Sequence, residues 1–351
     1  MPMITTSLSK SFDWSGRAPR KEVWLLWAFA ALVCSATIAA EYWGAQALGI
    51  DGPVFLPRLV YVAAGLLFIP LTAAMIRRAH DAGRSGAWVL VMLVPVLGAF
   101  VGLYLLIAPS SSRRRAPDAP LAMLVLAVST IAVSLLFMSR AFWQPYWIPA
   151  NSMAPTLLAG DYVTVSRPFN YLPEAGDIVV FRHVESQTDF IKRVIGMPGD
   201  TVQMRAGIVY LNGEALPQED AGNFEEIFGP KGPGAALPRC ANGPVGIGGI
   251  CSSPRKIETL PGGAKHAILD ISVTPHDDTI VFLVPPEHYF VMGDNRDNSI
   301  DSRFSAEVGG AGMVPAAYII GHGRRVVFSA AGPSLYAFWD WRAGRFFKAL
   351  Q

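Results

Sequence analysis

A chain of 351 residues that is 52% hydrophobic and only 16% charged is too apolar for an ordinary soluble protein and long enough for two or more domains, so part of it belongs in lipid. The net charge of +2 gives no argument for a nucleic-acid partner, and the local arginine clusters read as topology signals instead. Three cysteines exclude a disulfide scaffold.

Residues 1–22 are polar and basic, with Lys10, Arg17, Arg20 and Lys21, and show no cleavable-leader pattern. Uncharged runs follow at Val23 to Ala40, Leu59 to Ile76, Ser85 to Ser112 and Ala119 to Ser139, each near or beyond the roughly 20 residues that a bilayer-spanning helix needs. Trp24, Trp27, Tyr42 and Trp43 lie near the ends of the first run, as interfacial anchors do, and Cys34 reads as a small core residue. Between the runs, Arg77, Arg78, His80, Asp81 and Arg84 make either a polar site at the membrane surface or, the reading preferred here, a cytoplasmic topology anchor. The basic N-terminal segment, the 77–84 loop and Arg113-Arg114-Arg115 all call for the cytoplasmic side, which three full spans before Arg113 cannot satisfy. Either Ser85 to Ser112, broken by Pro95 and Gly98, is a re-entrant hairpin, or four full spans leave the first two basic segments outside. The hairpin is preferred because it keeps all three inside. In both solutions residues 119–141 anchor the chain and export everything after residue 141, and 1–118 form a multi-span membrane region of unknown function.

From about residue 142 the texture changes to short β-branched and aromatic runs separated by Gly, Pro and Asn-Gly. Tyr162 to Ser166, Asp177 to Arg182, Ile191 to Ile195, Gly207 to Leu211 and Thr279 to Val284 read as strands, with Asn212-Gly213 as a hairpin turn. Residues 142–329 are therefore a mainly-β domain, with a Gly- and Pro-rich, loop-rich insertion at about 214–278. Cys240 and Cys251 bracket part of that insertion; in an oxidising compartment they can close it, and otherwise they are free thiols. The tail, 330–351, mixes aromatic and basic residues and reads either as an amphipathic interfacial helix or as a short helix packed on the β body.

Chemistry is suggested first by Ser152, fixed between Pro149 and Pro155 just beyond the last span. A serine nucleophile needs a base, and no convincing His/Asp set is present. Lys192 lies in the apolar run Phe190-Ile191-Lys192-Arg193-Val194-Ile195, where loss of hydration lowers a lysine's pKa and leaves a neutral amine able to accept a proton. Ser152 and Lys192 are thus a candidate Ser/Lys dyad. Taken singly, Ser152 is equally a helix N-cap before Ala154, and Lys192 a snorkelling surface lysine. The histidines show no metal-ligand spacing, the Asp- and Asn-rich string at 293–303 lacks the glycine and terminal glutamate of a calcium loop, and no phosphate-binding glycine motif occurs. No metal and no cofactor are implied.

The strings SMAPTL at 152–157, GDIVVFR at 176–182, IKRVIGMPGD at 191–200 and GDNRDNSIDSR at 293–303 resemble, in order and spacing, the motif boxes of type I signal peptidases over roughly 142–329. The resemblance implies a multi-domain protein: an N-terminal α-helical transmembrane region, then a mainly-β catalytic domain. It implies that Ser152 attacks the scissile carbonyl, that Lys192 takes and returns the proton, that Ser299 orients the lysine amine, and that Asp301 and Arg303 form a supporting ion pair, with Arg193 beside them. Where many members carry a serine side chain that helps hold the oxyanion, this chain has Ala150, which leaves the backbone N–H of Ser152 as the donor in hand. Trp147, Ile148, Pro149 and Ala150, with Asp189, Phe190 and Ile191, are the implied substrate-binding segments, their shallow apolar pockets admitting small residues at the first and third positions before the cut. Phe142, Trp143, Tyr146 and Trp147 either keep that face at the membrane interface or simply pack at the domain's edge. The implied partners are signal peptides of exported preproteins and the lipid bilayer, with the export machinery as a candidate; the implied location is the bacterial cytoplasmic membrane, multi-pass, with the catalytic domain on the outer, periplasmic face. Farther upstream, GRAPRKEVW at 16–24 and IRRAHDAGRSGAW at 76–88 resemble a bacterial membrane-protein family known only as domain-of-unknown-function family 805, which implies no activity. Two rival readings stand beside the peptidase: a self-cleaving Ser/Lys protein of the repressor kind, and a non-catalytic membrane transport or assembly component whose β domain binds exported chains.

Overall fold

The computed structural model describes residues 2–47, 58–112, 118–166, 171–332, 334 and 337–350. Its two compact units divide between Phe142 and Trp143, where the apolar helical texture gives way to alternating strands.

The helical unit contains α1 (Pro2–Ser9), α2 (Arg20–Ala47), α3 (Leu59–Asp81), α4 (Pro95–Ile107) and α5 (Pro120–Ser139). Among the described residues three segments, Arg20–Gly44, Leu59–Asp81 and Pro120–Ser139, are long and apolar enough to cross a membrane. The third apolar run is not one of them. It divides into a 3-10 segment, Gly86–Leu93, and the 13-residue α4, because the residue before a proline is driven out of the helical region: Val94 has ψ 115 and Pro95 opens α4. The two arms then fold closely together, since a Cβ on Gly98 would stand 2.5 Å from the Met92 carbonyl oxygen. At about 1.5 Å per residue, neither arm crosses the roughly 30 Å of a hydrocarbon core. Helices α3 and α5 also approach closely, through Gly65, where a Cβ would meet Ser134 O at 2.7 Å.

The polar residues after α3's apolar run are not a solvated loop. Arg77 and Arg78 are buried. Arg77 donates to Lys10 O at 2.9 Å, Asp13 O at 2.7 Å and Glu22 at 2.9 Å. Arg78 donates to Leu105 O at 2.8 Å, to Ala108 O and to Asp81, which satisfies carbonyls that the end of α4 leaves without helical partners. His80 lies 3.0 Å from both Gly16 O and Asp118. Only Arg84 of this group is exposed, stacked on Trp88. These side chains hold the helical unit together from within. Arg113-Arg114-Arg115 lie outside the described residues.

The second unit is built of β1 (Trp143–Trp147), β2 (Asp161–Ser166), β3 (Ile178–Arg182), β4 (Asp189–Gly196), β5 (Thr201–Arg205), β6 (Ile208–Leu211), β7 (Glu214–Ala215), β8 (Gln218–Ile227), β9 (Ile250–Thr259), β10 (Lys265–Leu269), β11 (Phe282–Leu283), β12 (His288–Met292), β13 (Val314–Pro315), β14 (Ile319–Ser329) and β15 (Lys348–Ala349). The largest sheet runs β1-β2-β14-β3-β4-β12-β13, with β15 on β14. Alternation is strict in β2, where Val163 and Val165 are buried while Tyr162 and Thr164 are not, whereas β3 is buried on both faces from Ile178 to Phe181. A second sheet, β11-β5-β6-β7, turns at Asn212-Gly213, both at positive φ as a two-residue hairpin of this kind requires. Of the run Thr279 to Val284, only Phe282–Leu283 pairs as strand.

Within the insertion, β8, β9 and β10 form a third sheet and the loop character is concentrated between β8 and β9. Cys240 and Cys251 are disulfide-bonded there, while Cys34 is unpaired. The described tail residues hold no α-helix. Two 3-10 turns, Phe338–Asp340 and Ala343–Arg345, lead into β15, and Arg342 and Arg345 reach the fully buried carboxylate of Asp161. That buried charge needs cationic partners, and it fastens the tail to the β body.

Candidate active site

The backbone of β1 continues past Trp147. Ile148 N–H donates to Asp161 O and its carbonyl accepts from Gly160 N, both at 2.8 Å. Both main-chain groups of Ile148 therefore face β2, and by the period-two alternation of a strand the carbonyls of Trp147 and Pro149 face the opposite side. On that side β1 is an edge strand. The chain then enters a succession of turns from Asn151 to Leu157 in which Met153 and Leu157 are buried against Ile148, Val163, Ile178 and Val326. No helix begins at Ala154, so Ser152 caps nothing.

The Ser152 hydroxyl instead accepts a hydrogen bond from Lys192 Nζ at 2.9 Å. Lys192 is on β4, buried, and also donates to Ile191 O at 3.1 Å. Burial lowers its pKa from the ordinary lysine value to about 8, against the opposing pull of the Asp301 and Asp294 carboxylates. A base poised near neutrality within reach of a hydroxyl is what proton abstraction from serine requires. The backbone N–H of Ser152 is bonded to no protein group among the described residues, and Ala150 is exposed and has no side-chain donor.

The segment 293–303 supports both groups. Asn295 N donates to Ser152 O at 3.1 Å, and Asn295 Nδ2 to Asn151 O at 3.2 Å. Asp294 receives Arg193 through two bonds of 2.8 Å and Thr156 Oγ1 at 2.5 Å. Asp301 receives Arg303 at 2.9 and 3.0 Å and Gly293 N–H at 3.0 Å. Burial alone would raise the pKa of both carboxyls, but their guanidinium partners outweigh it and hold both below the usual carboxylate range. Arg193 thus serves Asp294, a residue that sequence reasoning does not single out although it stands in the quoted motif. Glu258 also pairs with Arg296 and faces His266 at 3.3 Å; Arg296 stands in the quoted motif, whereas Glu258 and His266 are register partners on β9 and β10 that no motif marks. Ser299 is buried beside Gly293; its hydroxyl makes no hydrogen bond to Lys192 among the described residues, and it faces the Asp301 carboxylate, which it helps to hold below the usual range.

Gly293 likewise carries no local sign of its role. A Cβ there would stand 2.3 Å from Ser299 Oγ and 2.5 Å from Ser152 O, so only glycine lets these two segments meet. Gly293→Ala should reduce kcat/KM about 100-fold, the scale of a 1 Å misplacement of catalytic groups, while circular dichroism shows a folded protein. Activity within about threefold of wild type would mean that the nucleophile tolerates such movement.

The implied substrate segments fall on two open edges. Strand β3 pairs with all of Asp189 to Arg193, whereas β12 pairs with β4 only from Arg193 onward; the outer edge of Asp189 to Ile191 is left without a strand. Ile148 and Ile191 belong to one apolar cluster, so both edges border a common floor beside the dyad. Phe190 packs on His183 with ring centroids 4.8 Å apart, and the Asp189 carboxylate is held by Arg182 at 2.5 Å. Among the described residues no group of three or more His, Cys, Asp or Glu side chains could hold a metal ion.

Comparison with known proteins gives two family matches. The model described as "Signal peptidase, peptidase S26" matches residues 121–328, and the one described as "Protein of unknown function (DUF805)" matches residues 11–116. "Signal peptidase I" of Aquifex aeolicus (strain VF5) is 34% identical over 221 residues, 58% of this chain and 83% of that one. "Signal peptidase I" of Buchnera aphidicola subsp. Schizaphis graminum (strain Sg) is 31% identical over 240 residues, 56% and 71% of the two chains. A solved signal peptidase I from Enterococcus faecalis V583 aligns over 43% of this chain and 97% of its own at 22% identity, with a TM-score of 0.23, too low to bear on the fold.

Proposed function

The chain belongs to the signal peptidase family, peptidase S26, and from that membership we propose that it removes N-terminal signal peptides from exported preproteins, with Ser152 as nucleophile and Lys192 as general base. The observation that carries the assignment of residues is the 2.9 Å contact between Lys192 Nζ and Ser152 Oγ in a site that burial keeps from fully solvating the amine. The neutral lysine takes the hydroxyl proton as Oγ attacks the scissile carbonyl. The oxyanion meets the free N–H of Ser152, with Ala150 contributing no second donor. Lys192 then returns the proton to the leaving amine, and a water that it activates hydrolyses the acyl-enzyme. The substrate lies extended along the open edges at Trp147 to Ala150 and Asp189 to Ile191, where main-chain bonding gives affinity and the apolar floor at Ile148 and Ile191 admits small side chains.

The membrane arrangement that fits is α2, α3 and α5 as spans, with the broken run 86–107 returning to the side it entered. This keeps residues 1–22, the 77–84 segment and Arg113-Arg114-Arg115 on the cytoplasmic side of a bacterial inner membrane and carries the β unit to the outer, periplasmic face, in keeping with the bias of basic residues. Signal peptides are the substrate partners and the export machinery a candidate neighbour. The Ser152–Lys192 contact speaks against a purely binding role, since a non-catalytic domain has no use for a desolvated lysine aimed at a serine.

The test is cleavage of a model preprotein carrying an Ala-x-Ala site by the detergent-solubilised full chain, with products mapped by mass spectrometry. A cut directly after the second alanine is expected. A folded protein that leaves several such substrates intact would overturn the peptidase reading and favour the binding component.

A further inference from the structure

The loop between β8 and β9 reaches back to the strand that leads to Ser152. Lys231 and Ala236 exchange main-chain hydrogen bonds of 2.8 and 3.0 Å, and Ala235 N donates to Gly232 O at 3.0 Å, so Lys231 to Ala236 form a closed hairpin. Its tip is seated. Gly232 N donates to Ala331 O at 2.7 Å, and a Cβ on Gly232 would stand 2.7 Å from Gly160 N, the amide that bonds Ile148. On the return arm, Ala241 N donates to Ser252 O at 2.9 Å and the Cys240–Cys251 bridge joins the same segment to β9. The hairpin is therefore held at both ends.

Gly234 occupies its tip. A Cβ added there would lie 3.2 Å from Pro149 O and 3.6 Å from Trp147 Cη2. Pro149 O is one of the carbonyls that face the open edge of β1, because the groups of the intervening Ile148 are both bonded toward Asp161 and Gly160. An extended peptide that adds to this edge must donate to Pro149 O. We infer that Gly234 is a substrate-positioning residue: the hairpin 231–236 walls the groove that receives the chain ahead of the scissile bond, and the missing side chain at 234 leaves the Pro149 carbonyl accessible. This rests on the reading of Trp147 to Ala150 as a substrate-binding edge. The physical content is steric. A methyl at 234 crowds the carbonyl by a few tenths of an ångström, and a branched side chain covers it.

The experiment compares wild type, Gly234→Ala, Gly234→Val and, as a control at an exposed position outside the hairpin, Val273→Ala, on one Ala-x-Ala peptide, with kcat and KM separated and melting temperatures recorded. KM is expected to rise about threefold for Gly234→Ala and about tenfold or more for Gly234→Val, with kcat within about twofold and Val273→Ala unchanged, the signature of lost ground-state binding. The same ranking is expected for peptide affinity measured by Trp fluorescence on a Ser152→Ala background, where no turnover occurs. Should Gly234→Val fail to fold, Gly234→Ala decides. An unchanged KM in the folded variants, or a fall in kcat at constant KM, overturns the role of the hairpin while the peptidase reading stands. A wild-type protein that leaves the peptide uncut overturns both.

Discussion

Lys192→Met should abolish cleavage, lowering kcat/KM by at least about 10⁴-fold, because the variant keeps the volume of the side chain and removes the group that contacts Ser152 Oγ and can take its proton. It should not unfold the protein. In the folded state burial holds the lysine at about 8, against an ordinary value of 10.5, so the unfolded chain binds the extra proton between those two pH values. Wild-type stability therefore rises with pH from about 8 to 10.5 and is handicapped below about 8, by about 3 kcal/mol from the size of the shift. Methionine removes that handicap and also loses the bonds to Ser152 and Ile191 O, so at pH 7 the variant should melt no lower than wild type, its advantage fading as pH rises through the same window. The same titration sets the rate. At pH 7 roughly a tenth of Lys192 is neutral, so wild-type kcat/KM should climb nearly tenfold between pH 7 and 9 and then level. A profile that is flat through pH 8, or an active Lys192→Met, would remove Lys192 as the base.

The reason such an experiment can be aimed at one lysine is that the local signals at this site agree with one another, and the places where sequence falls short share a physical cause. Ser152 between two prolines and Lys192 in an apolar run are local features, readable from neighbours alone. The 2.9 Å between them depends on β1 continuing its register with β2 beyond Trp147 and on β4 lying four places along the same sheet, which no local pattern encodes. Gly293 and Asp294 stand in plain view within a quoted motif, yet their roles arise from a close approach to Ser152 O and from Arg193, far away in the chain. Arg77 and Arg78 read as a surface cluster because arginine is rarely buried; what draws them inward is the carbonyl end of α4 and Glu22, partners that exist only once the helices pack. Pro95 and Gly98, by contrast, break the third apolar run by backbone chemistry alone, and that break is legible. Strands β8 and β9 are not, because they mix charged, polar and glycine residues without an apolar alternation, and pairing with each other supplies what side-chain burial does not.

Ser152→Ala should remove cleavage as completely as Lys192→Met, and the combination should be no worse than either change alone. Groups that act as one unit lose their whole contribution when either is removed, so the losses do not add. The nucleophile supplies the atom that bonds to the acyl carbon, and with only an alanine methyl there the remaining backbone N–H at 152 and the two open edges can bind and polarise a substrate but cannot form an acyl-enzyme. A fall of about 10⁴-fold or more is the expected scale. Peptide affinity should be retained, because the edges at Trp147 to Ala150 and Asp189 to Ile191 are untouched, and the melting temperature should shift little, because Ser152 is half-buried and among the described residues its hydroxyl bonds only to the lysine. Three measurements on the two single variants and the double variant decide the matter: single-turnover cleavage, peptide affinity and thermal melting. If the double variant is slower than either single variant by the product of their separate losses, the two residues act independently and the dyad is wrong. If Ser152→Ala binds the peptide as wild type does and cuts none of it, binding and chemistry are divided between the open strand edges and the pair at 152 and 192.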